Sequence, residues 1–564
     1  MLFTPDESIV VPEVDITTLT FSVSFPNDTV YMINDADGVK VTHGDIRRDY
    51  PRFAAGLQKT FKWQPGEVLA VIAWNSIHYP AVCWGTLAAG GVVMGLNPNF
   101  TREEIELRLR ACPAKCILVA VDLLDKVLAV AEKIGFPKDR IVLMPDVDGN
   151  RSSSLTAAVE TPSFLSHFSL FVEDVEPVLF TLKGSASRDH SAFIIFSSGT
   201  TGIPKAAQLT HYNYTSMISR MAADRANLLF SQDAPYLVLP FWTQPGISHC
   251  LIAGFYLGYP TVMTPSYDFP RLLELVQKHQ PRQLQTTPQI VNFLARDPRV
   301  ADYDLSSVTH ILVAGAPSSR EAISMCQDRL GVEVLNNYGF TEATLLVTRN
   351  IPGSNKIGSV GKLYLNTEAK IIGDNGEALN YEEEGQLCIR APGVLNSYIG
   401  KTREESGIDA DGFMETGDMA IIDFDGYVYI TDRKKELFKC EDRLVAPALI
   451  ETVLFTHPQV RDCCVIPYWA DKRSTYLPRA YVVLTSDCSA EDKESISSVI
   501  LSFVADRVKP HMALKGGIVF VSALPRHESG KVLRRQVKDI DGKSPANVLG
   551  YAPNDSEAEQ KAGR

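Results

Sequence analysis

Nearly unbroken apolar runs of strand length recur along the first part of the chain. They are VLAVIAW from Val68, CILVAVD from Cys116, IVLM from Ile141, YLVLPF from Tyr236, TVMT from Thr261 and HILVAGAP from His310. Segments with helical spacing lie between them, such as TREEIELRLR, whose Thr101 and Glu104 have the spacing of a capping box. Strands without polar alternation are usually buried on both faces, so the pattern predicts parallel sheets covered by helices.

The pattern changes twice towards the C-terminus. After Gly361 short alternating pieces are separated by turn signals such as DNG and DFDG, which predicts a β-rich section. Beyond Asp432 a smaller α+β region follows, with helical stretches near 449–455 and 491–507, and from Asp541 the composition is polar. The sequence therefore predicts an α/β fold with a large N-terminal domain (1–431), a small C-terminal domain (432–540) and a flexible tail (541–564).

Composition narrows the function. A chain of 564 residues with a formal charge of −12 lacks the basic excess of a nucleic-acid surface and fits an enzyme. The apolar stretch from Ala81 is shorter than a membrane span and holds four glycines, which indicates packed core. Ten scattered cysteines without metal-site spacing predict reduced thiols. The N-terminus lacks a signal-peptide pattern and the C-terminus reads AGR, so we predict a cytoplasmic protein and leave a peroxisomal location open.

The stretch FIIFSSGTTGIPK, residues 193–205, is an apolar strand that ends in a loop of small polar residues. The loop offers hydroxyls, glycines that let the backbone approach a ligand, and one cation: Ser197, Ser198, Gly199, Thr200, Thr201, Gly202 and Lys205. These groups suit a polyphosphate, although the composition alone favours a solvent loop, because Gly, Ser and Thr dominate loops generally. Pro204 before the lysine excludes a Walker loop, and no GxGxxG fingerprint follows the strand.

Five motifs in order carry a family resemblance. FSSGTTGIPKAAQLTH resembles the phosphate loop of the adenylate-forming superfamily, which includes acyl-CoA synthetases and 4-coumarate-CoA ligases. The other four are NNYGFTEA from Asn336, METGDMAIID from Met414, DRKKELFK from Asp432 and PRHESGKVLRR from Pro525. The resemblance covers roughly residues 65 to 540. It implies an ATP-dependent acid–thiol ligase that uses magnesium, forms an acyl-AMP with release of pyrophosphate, and transfers the acyl group to CoA.

The resemblance also implies residue roles. Lys205, Thr341, Glu342 and Lys531 would be catalytic, with Thr341 at the α-phosphate and Glu342 on magnesium. The nucleotide would further contact Gly315, Ala316, Pro317, Tyr338, Gly339, Asp418 and Arg433, of which Asp418 and Arg433 serve the ribose. Without the resemblance, Thr341-Glu342 is typical of a helix start, residues 315–317 of a strand-end turn, and Lys531 of a solvated helix face.

The small domain would be mobile and rotate about Lys435 between the two half-reactions, which brings Lys439 and Arg443 to the thiol. Between them the chain carries Glu441 and Asp442. Relatives usually have a basic residue followed by a glycine at these two positions. Acids would repel the phosphates of CoA, so a carrier-protein phosphopantetheine stays open as the acceptor. A third reading is a nucleotide-binding protein without catalysis.

The resemblance places an acyl pocket near Phe241, Trp242, Thr243, Gly246 and Phe340. Thr243 stands where many acyl-CoA synthetases have a histidine, and Ala206 replaces the glycine after the loop lysine. No acidic residue lies between Leu237 and Leu257 to pair with a substrate ammonium. We therefore expect a carboxylic acid without an α-amino group, and the sequence leaves aromatic and aliphatic acids open.

Overall fold

An eight-stranded sheet forms the centre of the large domain. The computed structural model describes residues 1–144, 164–173, 175–197, 205–228, 234–265, 268–316, 318–353, 356–440, 443–470, 475–485, 490–526, 532–538, 540 and 550–551. In sheet order the strands are Ser397–Tyr398, Lys205–Thr210, Ser191–Ser197, Val92–Gly95, Val68–Ile72, Cys116–Ala120, Ile141–Met144 and Leu165–Ser166. The strands from Ser191–Ser197 to Leu165–Ser166 pair in parallel, and the first two pairs are antiparallel. The apolar runs are therefore buried parallel strands, as predicted.

The large domain also contains a three-stranded parallel sheet. It consists of Gln283–Thr286, His310–Val313 and Glu333–Asn336, with Val313 opposite Asn336. A third sheet contains Tyr236–Leu237, Thr261–Met263, Val30–Asn34 and Lys40–Thr42. The predicted strand YLVLPF ends at Leu237, earlier than expected. Pro240 has no N–H for a ladder, and the segment from Leu239 turns away from the sheet.

Helices cover these sheets, as the alternating pattern predicts. They are Ile16–Thr20, His43–Phe61, Tyr79–Ala88, Arg102–Ala111, Leu124–Ile134, Ala186–Asp189, His211–Ala223, Arg225–Leu228, Gly254–Leu257, Phe269–His279, Pro288–Arg296 and Arg320–Leu330, together with a π-helical segment, Gly246–Ala253. The predicted capping box is present: the Glu104 N–H donates to Thr101 Oγ1 at 3.2 Å, and the Thr101 N–H donates to Glu104 Oε2 at 2.9 Å.

The predicted β-rich section is an antiparallel sheet of Glu368–Ile372, Gly385–Arg390, Met414–Ile422 and Val428–Arg433. A short pair, Thr348–Arg349 with Lys362–Leu363, lies beside it in sequence. The register places Asp418 directly opposite Arg433. The strand Val428–Arg433 thus runs across the predicted boundary between residues 431 and 432.

The small domain has its own hydrophobic cores, whose described members all come from residues 438–540. A hairpin of Phe438–Cys440 and Arg443–Val445 precedes a sheet of Val460–Ala470, Thr475–Leu484, Ile518–Phe520 and Gly550–Tyr551. The helices are Pro447–Phe455, Ala490–Ala505 and Arg534–Lys538. Gly550 and Tyr551 fall within the predicted tail, and they extend this sheet. The boundary at Asp432 stays a prediction.

Two further features concern the cysteines and the helices of the described ranges. The nine cysteines in the described ranges are all buried free thiols. Across those same ranges, every helix is too short or too polar to cross a bilayer.

Candidate active site

The phosphate-loop stretch begins and ends on two paired strands. Ser197 closes one strand, Lys205 opens the next, and the antiparallel register sets the two residues directly opposite each other. Ser198, Gly199, Thr200, Thr201 and Gly202 lie outside the described residues. The ends of the loop are therefore fixed by the edge of the eight-stranded sheet, at the carboxyl end of a buried strand, where open α/β sheets bind ligands.

A buried carboxylate lies close to the loop lysine. Glu342 belongs to a short 3-10 turn, Thr341–Ala343, and its side chain is largely buried. Its Oε1 accepts a hydrogen bond from the Tyr398 hydroxyl at 2.7 Å. The Lys205 ammonium lies 4.8 Å from the centre of the same tyrosine ring. The sequence-predicted pair Lys205 and Glu342 is thus brought together, through a residue that no motif singled out.

Positive charge accumulates around Lys205. Burial lowers the pKa of its ammonium, and the ammonium groups of Lys401 and Lys435 lower it further, while Glu342 opposes them. Lys401 follows Tyr398 by three residues, and Lys435 is the predicted hinge residue. A bound polyanion would relieve this repulsion, which is the electrostatic behaviour expected of a phosphate site.

A second carboxylate, Asp418, lies where the antiparallel sheet meets the three-stranded sheet. It is 3% exposed, its Oδ2 accepts from the Tyr338 hydroxyl at 2.5 Å, and its Oδ1 lies 2.9 Å from Arg433 Nε. Burial and the Asp418 charge raise the pKa of Tyr338 well above its usual value. Burial opposes the charged form of Arg433, but Asp418 together with Tyr338, Glu436 and Glu342 outweighs burial and raises the guanidinium pKa. Asp418, Arg433 and Tyr338 therefore form one cluster, in which the motifs predict the pairing of Asp418 with Arg433 but assign Tyr338 to the adenine pocket.

Gly315 and Tyr338 follow the carboxyl ends of neighbouring parallel strands. Because His310–Val313 pairs in register with Glu333–Asn336, the segments after them emerge at the same edge. Gly315 has a φ of +93° with open space around it, and Ala316 is half-buried. Pro317 lies outside the described residues. The predicted adenine-pocket residues that are described thus share one sheet edge.

The YGFTE segment is held by a steric constraint at Gly339. A Cβ added there would lie 1.6 Å from the Leu345 carbonyl oxygen. The Val347 and Thr348 N–H groups both donate to the Tyr338 carbonyl, at 3.0 and 3.1 Å, so the chain folds back tightly over this point. The Phe340 ring lies 5.7 Å from the Tyr338 ring.

Of the predicted acyl-pocket residues, Phe241 and Trp242 pack in the core and Thr243 lies in a turn. Phe241 is buried and packs 5.0 Å from Tyr79, and Trp242 meets Trp74 edge-to-face at 6.3 Å. Thr243 closes a turn, because its hydroxyl donates to the Pro240 carbonyl at 2.7 Å and accepts from the Gly246 N–H at 3.3 Å.

Gly246 has a steric role as well. A Cβ added there would lie 2.0 Å from the Pro240 carbonyl oxygen, so this position excludes a side chain. It begins the π-helical segment Gly246–Ala253, which is buried along its length.

The predicted residues of the small domain are placed less completely. Lys531 lies outside the described residues, as do Glu441 and Asp442. Lys439 and Arg443 are exposed on opposite strands of the hairpin. Within the described ranges, no group of three or more His, Cys, Asp or Glu side chains is arranged to hold a metal ion.

Sequence reasoning missed an acidic cluster at the start of the small domain. Asp432 is buried, its Oδ1 accepts from the Arg433 N–H at 2.6 Å, and its Oδ2 has no hydrogen-bond partner among the described residues. Arg534 Nε lies 2.9 Å from Glu436 and both its Nη atoms contact Glu451, at 2.5 and 2.7 Å. Nothing in the order of these residues along the chain signals their proximity.

Charge crowding shifts the acid–base behaviour of this cluster. The pKa of Asp432 is raised to about 7, chiefly by burial and also by the Glu436 and Glu451 charges, while the hydrogen bond from the Arg433 N–H and the Arg534 charge partly offset the increase. Tyr398 was missed too, because a tyrosine in a short strand of GVLNSYIG has no distinguishing signal. Its contacts appear only when that strand pairs beside Lys205.

Comparison with known proteins places these features in a family. The AMP-binding enzyme model matches residues 21–399, and the model of the AMP-binding enzyme C-terminal domain matches residues 449–531. A probable 4-coumarate–CoA ligase 3 from Dictyostelium discoideum is 30% identical, over 95% of this chain and 96% of its own. The phenylacetyl-CoA ligase epaB of Aspergillus niger is 30% identical, over 96% and 99%.

Solved structures share the fold. The crystal structure of the anthranilate CoA ligase AuaEII in complex with anthranoyl-AMP superposes with a TM-score of 0.82, over 95% of this chain and 98% of that chain. The sequence identity is 20%, so the likeness concerns the arrangement of a large N-terminal and a smaller C-terminal domain.

We predict that Gly339→Ala destabilises the protein by more than about 3 kcal/mol, because the methyl group meets backbone rather than a movable side chain. Gly376→Ala is the control, since Gly376 has a φ of +85° but open space, and its cost should be about 1 kcal/mol. Urea unfolding of the two variants measures both costs. Equal costs would contradict the steric argument.

We predict that Asp432→Asn stabilises the protein more at pH 8 than at pH 5. The unfolded aspartate titrates near its ordinary value of 3.8 and the folded one at about 7, so the folded state binds the extra proton between these values. Wild-type stability therefore falls as the pH rises through this window, by about 1–3 kcal/mol, whereas asparagine stays neutral.

Scanning calorimetry at the two pH values measures this difference. Asp328→Asn, at an exposed position on the helix Arg320–Leu330, controls for the substitution itself. A stabilisation by Asp432→Asn that is the same at both pH values would refute the assignment.

Proposed function

The chain belongs to the AMP-binding enzyme family and is an AMP-forming acyl-CoA ligase that works through an acyl-AMP, and we propose how its residues divide the two half-reactions. The observation that supports this division best is the convergence of Lys205, Glu342 and Tyr398 at the mouth of the phosphate loop. The Lys205 ammonium and the buried Glu342 carboxylate both contact Tyr398 there. The charges of Lys401 and Lys435 act on the same ammonium.

In the first half-reaction a carboxylate oxygen of the acid attacks the α-phosphorus of ATP. The new O–P bond forms as the bond to the β-phosphate oxygen breaks, and pyrophosphate leaves. We propose that the loop of residues 197–205 and the Lys205 ammonium hold the leaving phosphates. Thr341 contacts the α-phosphate and Lys531 bridges it to the carboxylate. The protein mainly positions the reactants and neutralises their charge.

The site fits a magnesium ion that is held by a single protein ligand. Mg²⁺ is commonly held by one or two carboxylates together with substrate phosphates and waters, and Glu342 is a buried carboxylate with one oxygen committed to Tyr398. Among the described residues its Oε2 makes no hydrogen bond to the protein. When bound, the ion would neutralise phosphate charge, and Glu342 would hold it.

We propose that the Asp418 cluster holds the ribose. Its carboxylate accepts hydrogen bonds from Tyr338 and pairs with Arg433, which keeps it ionised and ready to accept ribose hydroxyls as well. Gly315, Ala316, Pro317, Tyr338 and Gly339 line the adenine pocket. Their described members lie at the carboxyl ends of two parallel strands, where nucleotides bind in sheets of this kind.

In the second half-reaction the thiol sulfur attacks the acyl carbon. The C–S bond forms as the bond to the AMP oxygen breaks, AMP leaves, and the thiol proton passes to solvent. We propose that the small domain rotates about Lys435 between the steps, and that its hairpin with Lys439 and Arg443 then faces the thiol. Both side chains are exposed and therefore available to phosphates. Closure excludes water from the adenylate.

CoA is the proposed acceptor. The relatives are named as CoA ligases, and two cations flank the acids at 441 and 442, so the charges of this segment balance. A carrier-protein phosphopantetheine, which lacks the nucleotide phosphates, is the competing acceptor. A cytoplasmic location stays a prediction.

We propose a carboxylic acid without an α-amino group as the substrate, because residues 237–257 contain no acid to pair with an ammonium. Relatives named for 4-coumarate and phenylacetate make aryl acids the first class to test. Fatty acids form the second arm of the same panel. Two of the proposed pocket residues are Phe340, which directly precedes Thr341, and Thr243, which stands where many acyl-CoA synthetases have a histidine near the reacting carboxylate.

Pyrophosphate exchange with a panel of aryl, fatty and amino acids tests this function. We expect exchange with at least one acid that lacks an α-amino group, and then an acyl-CoA product by mass spectrometry. Product formed only on a holo carrier protein would favour the competing acceptor. No exchange with any acid, together with measurable ATP binding, would support a non-catalytic nucleotide-binding protein.

We predict that Lys531→Ala abolishes acyl-AMP formation but retains conversion of supplied acyl-AMP to thioester, because the lysine serves only the first step. The two half-reactions are measured separately, by pyrophosphate exchange and by thioester formation. Lys538→Ala, at an exposed lysine of the helix Arg534–Lys538, is the matched control and should leave both intact. An equal loss of both half-reactions in Lys531→Ala would refute the rotating-domain account.

A further inference from the structure

We propose that Tyr398 is a positioning residue of the adenylation site, which orients the magnesium carboxylate through its hydroxyl and the loop lysine through its ring. This inference deepens the proposed function and rests on it. Its evidence is the geometry around one side chain that is 6% exposed.

Strand pairing and backbone hydrogen bonds fix the position of Tyr398 independently of its side-chain contacts. Ser397–Tyr398 is the edge strand of the eight-stranded sheet, and Tyr398 pairs with Ala207 on the strand that Lys205 opens. The Tyr398 N–H donates to Ser406 Oγ at 3.1 Å, and its carbonyl accepts from the Lys401 N–H at 3.1 Å. The ring position is therefore coupled to the position of the loop lysine.

The hydroxyl reaches the carboxylate on the other side of the site. It donates to Glu342 Oε1 at 2.7 Å, which is a charge-assisted hydrogen bond. With Oε1 committed, the carboxylate rotamer is fixed and Oε2 is left for the metal. Hydrogen-bond partners of this kind commonly tune metal affinity 10- to 100-fold.

The face of the Tyr398 ring contacts the Lys205 ammonium. Lys205 Nζ lies 4.8 Å from the ring centre, within the range of a cation–π interaction. Lys401 and Lys435 repel the same ammonium, so the ring supplies an attraction that keeps it at the end of the loop in the absence of phosphates. One side chain thus places the two charged groups that meet the metal–nucleotide complex.

Two variants separate the two contacts. Tyr398→Phe removes the hydroxyl and keeps the ring, and Tyr398→Leu removes both. The matched control is Tyr429→Phe, which also breaks a tyrosine-to-carboxylate hydrogen bond, here to Asp423 Oδ2 at 3.2 Å, outside the proposed site.

Equilibrium binding of ATP, with Mn²⁺ and separately in EDTA, provides a readout that needs no acid and no turnover. We expect Tyr398→Phe to reduce the Mn²⁺-dependent gain in ATP affinity by about tenfold or more, with metal-free ATP affinity changed less than twofold. Tyr398→Leu should lose about a further threefold in metal-free affinity, because Lys205 loses its aromatic face. Tyr429→Phe should match the wild type in both.

The outcomes distinguish this inference from the proposed function. An unchanged Mn²⁺ gain in Tyr398→Phe, with the wild type active in pyrophosphate exchange, overturns only the role of Tyr398. Equal losses with and without metal in Tyr398→Phe would show a structural role and overturn it as well. A wild type that binds no ATP would overturn the proposed function itself.

Discussion

The site depends on the buried pairing of Asp418 with Arg433. The two residues lie opposite each other on the strands Met414–Ile422 and Val428–Arg433, and Tyr338, which follows the strand Glu333–Asn336, donates to the second carboxylate oxygen. Charge-assisted hydrogen bonds of this kind contribute about 1.5–3 kcal/mol each. The cluster ties three segments together two residues before Lys435, the proposed hinge. A rotation about Lys435 of the kind proposed would leave this cluster in place.

The sign of the crowded charge differs between the two sides of the Asp418–Arg433 pair. Towards the loop, Lys205, Lys401 and Lys435 crowd positive charge next to a single buried carboxylate, Glu342, which suits a polyanionic ligand. Towards the small domain, carboxylates crowd around one guanidinium, Arg534. Buried pairs of this kind gain little net stability, because desolvation offsets much of the attraction. Their arrangement therefore matters chiefly for where charge is located, rather than for stability.

The strand and helix pattern was predictable because it is local. Apolar runs such as that from Val68 read directly as buried parallel strands, and the capping box at Thr101 specifies its own helix start. The described ends of the phosphate loop and the pairing of Asp418 with Arg433 were predictable for another reason. They lie in motifs whose order along the chain resembles a known family, and the structure brings these motifs together at sheet edges. The end of YLVLPF at Leu237 was missed, although Pro240 was visible.

The sequence by itself determined the fold class, the position of the loop and the identity of most proposed ligands of the nucleotide, because these depend on periodicity and on contiguous motifs. Only the tertiary structure decided the rest. Tyr398 lies 56 residues from Glu342 along the chain, and the raised pKa of Asp432 arises from Glu451 and burial as well as from its neighbour Glu436. Such couplings depend on distances between strands and helices that are remote in sequence, and distance governs both hydrogen bonding and electrostatics.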